Sequence, residues 1–223
     1  TPCQPEHEPN QSWDGTHLSV AGGRMNGLVR VSGDVAMGYW DDHDLPYYYA
    51  IAKHFTLANR WFCSAPCQPY PNRRYLMAAT SWGLVSTTLP GVNDPPPPHG
   101  TIFERLNAHR ISWKNYFTDL PQTAIIPSVV KSNPAHLSPI AAFYADCATG
   151  NLPAVSFVDP DFGIADVIGG LVPGQPIPAS VRANGQDEEN PQNIRLGEAF
   201  VASVANAVIS SPAWRRTLLV WFY

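Results

Sequence analysis

The chain has 223 residues, a formal net charge of −4 and 44% hydrophobic residues, enough apolar content for a core and too much for an intrinsically disordered chain. The acidic balance, with no basic block, disfavours a phosphate-tracking nucleic-acid binder, and no apolar run approaches the roughly 20 residues needed to span a bilayer. With 23 prolines beside 16 glycines, the chain is expected to be globular but rich in loops.

Residues 1–45 read as irregular, with small strands expected at 28–31 and 37–40. Pro46 suits the first turn of a helix, where its missing N–H costs nothing. Residues 46–58 are then predicted helical, with Tyr48, Ile51, Phe55 and Ala58 on one face. A proline-rich loop over 64–71 leads into a helix over 72–80. Four prolines at 95–98 bar helix and central strand, so a surface connection is expected there. Thr101 and Glu104 have the spacing of a capping box, opening a helix that carries Ile102, Phe103 and Leu106. Residues 111–117 alternate as a strand.

Ser138 and Pro139 read as the N-cap and first residue of a helix that Gly150 closes. Residues 154–158 form a short buried strand, and a glycine–proline loop spans 163–191. Asn190-Pro191 opens the last helix, with Ile194, Val201, Val204 and Val208 spaced for one face. Pro212 ends it. Residues 217–223 read as a continuous apolar strand covered on both faces. Helices alternating with strands imply an α/β architecture, with chemistry just beyond the strands' carboxyl ends. A buried final strand is an odd natural terminus, so 1–223 is expected to be one domain in partial form.

Several side chains could carry chemistry. Cys3, Cys63, Cys67 and Cys147 are open to one or two disulfides in an exported protein, to free thiols or, less simply, to metal binding. The histidines at 7, 17, 43, 54, 99, 109 and 136 form no HExxH pair, and there is no GxSxG elbow, P-loop or GxGxxG. Asp41, Asp42 and Asp44 suit either a hard cation or a solvated loop before a helix. Asp159 and Asp161, in VSFVDPDFG, follow a strand, where a site residue or a turn residue is expected. Asp187, Glu188 and Glu189 read as a solvated acidic loop. In PYPNRRYLM, Asn72 and Arg73 sit at a helix start, an arrangement suited to an anion because free amides and a guanidinium fork converge there.

Residues 37–81 (MGYWDDHDLPYYYAIAKHFTLANRWFCSAPCQPYPNRRYLMAATS) resemble the bacterial phosphoesterase family, which includes phospholipases C and acid phosphatases. Residues 143–163, 187–223 and 22–29 resemble further blocks of that family in the same order. The resemblance implies a three-layer alkaline-phosphatase-like α/β fold with a central, mostly parallel sheet, incomplete at both ends. It implies hydrolysis of phosphoric esters, with a phosphomonoester or phospholipid as substrate and a secreted or periplasmic location. In the family a Ser or Thr hydroxyl, activated by a divalent metal ion, attacks phosphorus.

Carried onto this chain residue by residue, the nucleophile position is Pro69. A family histidine aligns with Gln11 in NQSWDG, and a second aligns with Glu189. Asn72 and Arg73 match. Ser64 and Cys67 are the nearest alternative nucleophiles. The family's metal-ligand segments, Glu-Asn-Arg-Ser-Phe and Asp-Glu-His-Gly-Gly, fall outside residues 1–223, so a divalent metal ion is expected for the family but not bound by this chain. Two readings follow: a phosphoric-ester hydrolase family member with its nucleophile replaced, or an inactive phosphate-binding relative or remnant.

Overall fold

A computed structural model describes residues 5, 7–164, 185–189 and 192–222. Two short helices, α1 (Trp13–Val20) and α2 (Leu28–Ser32), open the described part. The Ser12 hydroxyl caps α1 by accepting from the Gly15 N–H at 3.0 Å. Gly27 enters α2 so close to α1 that a Cβ there would sit 2.1 Å from the Leu18 carbonyl oxygen. The strand expected at 28–31 is instead helix α2, and of the one expected at 37–40 only Met37 is in a regular element, the end of a 3-10 turn over Gly33–Met37. Helical turns satisfy their own backbone groups, as in Val31 N–H to Gly27 O at 3.0 Å, whereas a strand needs a neighbour.

Helix α3 (Pro46–His54) starts at its proline as expected but stops short of 58, because the chain becomes extended at Phe55. Its first amides are capped from a distance: Glu198 Oε1 accepts from Tyr47 N–H at 2.8 Å and Tyr48 N–H at 3.2 Å. Helix α4 (Pro69–Ala78) begins three residues before the predicted start. Pro69 and Pro71 both fit its first turn, where amides lack intrahelical acceptors anyway. Helix α5 (Ile102–Ala108) carries the expected capping box between Thr101 and Glu104.

Among the described residues the sheet has three parallel strands, β1 (Trp113–Phe117), β2 (Leu137–Pro139) and β3 (Val155–Asp159), in the order β2-β1-β3. Helix α6 (Pro127–Ser132) lies on the β1–β2 connection, and α7 (Ile140–Thr149) carries the chain from β2 over to β3. Pro139, not Ser138, is the N-cap of α7: it ends β2 with extended backbone, and the helix begins at Ile140. Gly150 closes α7 at φ 71°, in the left-handed region.

Strand alternation splits the core in two. Trp113, Val155 and Phe157 face a cluster with Met77 of α4, Phe103 of α5 and Val129 of α6. Tyr116 and Val158 face the opposite cluster with Phe143 and Cys147 of α7 and Val204 and Val208 of α8 (Ile194–Ile209). Helices therefore cover both faces of a parallel sheet, the three-layer α/β arrangement that the sequence predicts.

Asn193 caps α8 by accepting from the Arg195 N–H at 3.1 Å; the start expected at Asn190-Pro191 lies outside the described residues, as does most of the 163–191 loop. Residues 217–222 differ from the prediction. They form no ladder with any described strand, and Leu218 is 86% exposed while Leu219 packs on the α7–α8 cluster. The segment is covered on one side rather than two. Cys63, Cys67 and Cys147 are free thiols, and Cys3 lies outside the described residues.

Candidate functional site

The carboxyl ends of β1 and β3 bring polar side chains to the face covered by α4. Asp159 is the last residue of β3 and is 4% exposed. Its Oδ2 accepts from Asn115 Nδ2 at 2.6 Å and from the Gln122 main-chain N–H at 2.7 Å. Asn115, fully buried on β1, accepts in turn from the Thr123 hydroxyl at 2.8 Å. Burial pushes the Asp159 carboxyl up to about 6, against the pull of these two donors and of the Arg73 charge; the Asp119 charge adds to the rise.

Asp119 shapes the neighbouring loop. Its carboxylate accepts from the Leu120, Phe162 and Ile164 amides at 2.7, 3.0 and 3.3 Å. Phe162, fixed in this way, lies under the Arg73 guanidinium, 5.4 Å from the ring centroid. Asp161 builds the turn, accepting from the Gly163 N–H at 2.8 Å.

Two cavities meet at Arg73. One, of about 430 Å³, has mostly apolar walls that include Leu89, Leu120, Ile125 and Ile164, with Lys131 and Glu189 among its polar residues. The other, of about 330 Å³, runs past Asp159 toward Trp221 and Phe222. Arg73, Gln122, Phe162 and Asp187 line both.

The candidate residues thus separate. Arg73, Asp159 and Glu189 line the cavities. Asn72 turns away: its Oδ1 accepts from the Ala65 N–H at 2.9 Å, and its Nδ2 donates to the carbonyls of Ala65, Cys67 and Gln68 at 3.0, 3.1 and 3.2 Å. It latches the loop before α4. Pro69 is the first residue of α4 and has no side-chain oxygen. Gln11 precedes the α1 cap, and neither it, Pro69 nor Asp161 is among the described residues lining the two cavities. The Cys67 thiol is pushed up by burial and by neighbouring Cys63, the wrong direction for a thiolate nucleophile.

Asn115, Asp119 and Gln122 escaped the sequence reading. The signal for Asn115 was present: it shares an inward strand face with Trp113, where a polar residue needs a buried partner. Gln122 acts through its backbone, which no side-chain pattern reveals. Arg74, next to Arg73, is 2% exposed on the α4 face of the core, lies over Trp82 and donates to Ile125 O at 3.5 Å; burial lowers its pKa.

Among the described residues no group of three or more His, Cys, Asp or Glu side chains could hold a metal ion. Asp41 accepts from the amides of His43 and Asp44, while Asp42 and Asp44 face Lys53 and Arg195 at 3.8 and 3.9 Å. That cluster is a turn before α3. Among the described residues these donors do not fit a divalent cation.

Residues 3–223 match the Phosphoesterase family. The chain belongs to the phosphoesterase family. Within it, the chain is 29% identical to Non-specific phospholipase C6 of Arabidopsis thaliana over 182 residues, covering 80% of this chain and 32% of that protein. It is 28% identical to Non-specific phospholipase C1 of the same plant, covering 90% and 36%. It is also 28% identical to Phospholipase C B of Mycobacterium tuberculosis, covering 97% and 44%. The chain thus spans less than half the length of these relatives. The family is one of phosphoric-ester hydrolases, and family membership suggests metal dependence. No helix among the described residues is long and apolar enough to cross a membrane.

Proposed function

We propose that this phosphoesterase-family chain binds a phospholipid-type phosphoric ester in the paired cavities and does not turn it over by itself. The observation that carries the reading is the position of Arg73, where an apolar cavity and a more polar one meet. A guanidinium fork matches two phosphate oxygens. The apolar walls beside it suit the hydrocarbon part of such an ester, since each buried CH₂ contributes about 0.8 kcal/mol. Names of the relatives, all phospholipases C, support the lipid class.

Absence of turnover is inferred from Pro69, which cannot attack phosphorus, and from Gln11, which cannot serve as an acid near neutral pH. Glu189, which the resemblance aligns with a family histidine, offers a carboxylate where that histidine would bind the phosphoryl group and move protons. A secreted or periplasmic setting is proposed from the family resemblance.

Calorimetry with a short-chain phosphatidylcholine and with p-nitrophenyl phosphate tests both halves. Binding to wild type, lost in Arg73→Ala, is expected. No hydrolysis above background is expected, with or without added divalent metal. Turnover that a chelator abolishes would overturn the inactive reading. Absence of heat at millimolar ligand, with Arg73→Ala identical to wild type, would overturn the cleft.

A further inference from the structure

We propose that Asp159 is a positioning residue that sets the pH range over which the Arg73 cleft accepts an anion. Ionised, its charge attracts that of Arg73 in the cavity both residues line; protonated, it leaves the Arg73 charge to the ligand. The inference rests on the cleft reading above and adds its regulation.

The geometry supplies the parts. Asp159 and Arg73 line the same cavity, on β3 and α4. The Asp159 Oδ2 accepts from both Asn115 Nδ2 and the Gln122 N–H, and the side chain is buried at the end of β3. A buried carboxyl of this kind titrates near pH 6, within reach of physiological pH.

Other charged groups face the pair. From the β1 side comes Asp119, whose carboxylate is spent on the amides of Leu120, Phe162 and Ile164. Beyond β3 stands Asp161, tied to Gly163 N–H. Asp187, Glu188 and Glu189 line the cavities from the segment before α8, and Lys131 does so from α6. Asp187 accepts from Gln192 Nε2 at 2.7 Å and Glu188 from the Tyr48 hydroxyl at 2.5 Å, whereas Asp159 is bound by Asn115 and Gln122 at the strand end itself.

The sign follows from linkage. An anion at Arg73 lies near Asp159 and disfavours its ionised form, so binding takes up a proton where Asp159 titrates. Affinity must then fall as pH rises through that range. A charge–charge coupling of one pKa unit corresponds to about tenfold in affinity.

The probe is inorganic sulfate, a dianion throughout the range, so that ligand titration does not contribute. Sulfate affinity of wild type should fall about tenfold between roughly pH 5 and 7.5. Asp159→Asn should bind at pH 7.5 as wild type does at pH 5, with a flat profile. Asp119→Asn should keep the wild-type slope. If Asp159→Asn does not fold, the Asp159 carboxyl resonance of wild type gives a second readout: its midpoint should rise when sulfate is added. A flat wild-type profile, an Asp159→Asn profile with the wild-type slope, or a midpoint indifferent to sulfate would each overturn the inference. Failure of wild type to bind sulfate at any pH, with Arg73→Ala the same, would instead remove the cleft and this regulation with it.

Discussion

Asn72, expected from the family resemblance to be a site residue at the start of α4, has a side chain that holds a loop. Replacing it by alanine tests that role. The substitution removes the acceptor of the Ala65 N–H and a donor group shared by three carbonyls. Asn72 Nδ2 carries two hydrogens, so about three hydrogen bonds are at stake. At about 1 kcal/mol net each, Asn72→Ala should cost about 3 kcal/mol. For a chain of this size that corresponds to a fall of about 6–12 °C in Tm. Asn72→Asp should cost at least as much, because it keeps the acceptor but turns the donor into an oxygen facing carbonyl oxygens. Urea unfolding followed by tryptophan fluorescence and far-UV dichroism measures both, with an unchanged m-value confirming that stability alone has moved. A loss below about 0.5 kcal/mol for Asn72→Ala would refute the latch.

Glu198→Ala should destabilise by about 1–2 kcal/mol, since it leaves the Tyr47 and Tyr48 amides of the α3 start without their acceptor; Glu198→Gln, which keeps an oxygen there, should lose less, and equal losses in urea unfolding would contradict capping. The Asp159 carboxyl, at about 6 in the folded chain against an ordinary value of 3.8, makes the folded state bind more protons between those values. Stability should therefore fall as pH rises through that window, by about 3 kcal/mol from this group. The unfolding free energy of Asp159→Asn, measured from pH 4 to 7 beside wild type, should lack that decline; parallel curves would show that the buried carboxyl is not its source.

Local rules made much of the fold legible. The Thr101–Glu104 box, a strand expected over 111–117 and observed over 113–117, and the left-handed stop at Gly150 are each set by short-range chemistry. Residues 28–31 and 217–222 show where such rules end. Both are apolar enough for strands, but a strand exists only when a neighbour accepts its ladder, and pairing is not written in the segment itself. Arg73, singled out in its motif as an anion-binding candidate, lines both cavities. Asn115 and the Gln122 amide matter because β1 and the following loop converge on Asp159, a contact across 44 positions for Asn115. The Asn72 motif was legible as well, but its side-chain direction depends on how the 65–68 loop wraps around it.

The order β2-β1-β3 bears on how the chain folds. No neighbouring strands are joined by a hairpin; Trp113 must meet Val155 across the whole crossover through β2 and α7. Closing so long a loop forfeits chain entropy before any ladder compensates for it, and topologies of this kind assemble slowly. The Asn115–Asp159 hydrogen bond joins β1 to β3 across that same crossover, so it is made only once these two strands have met.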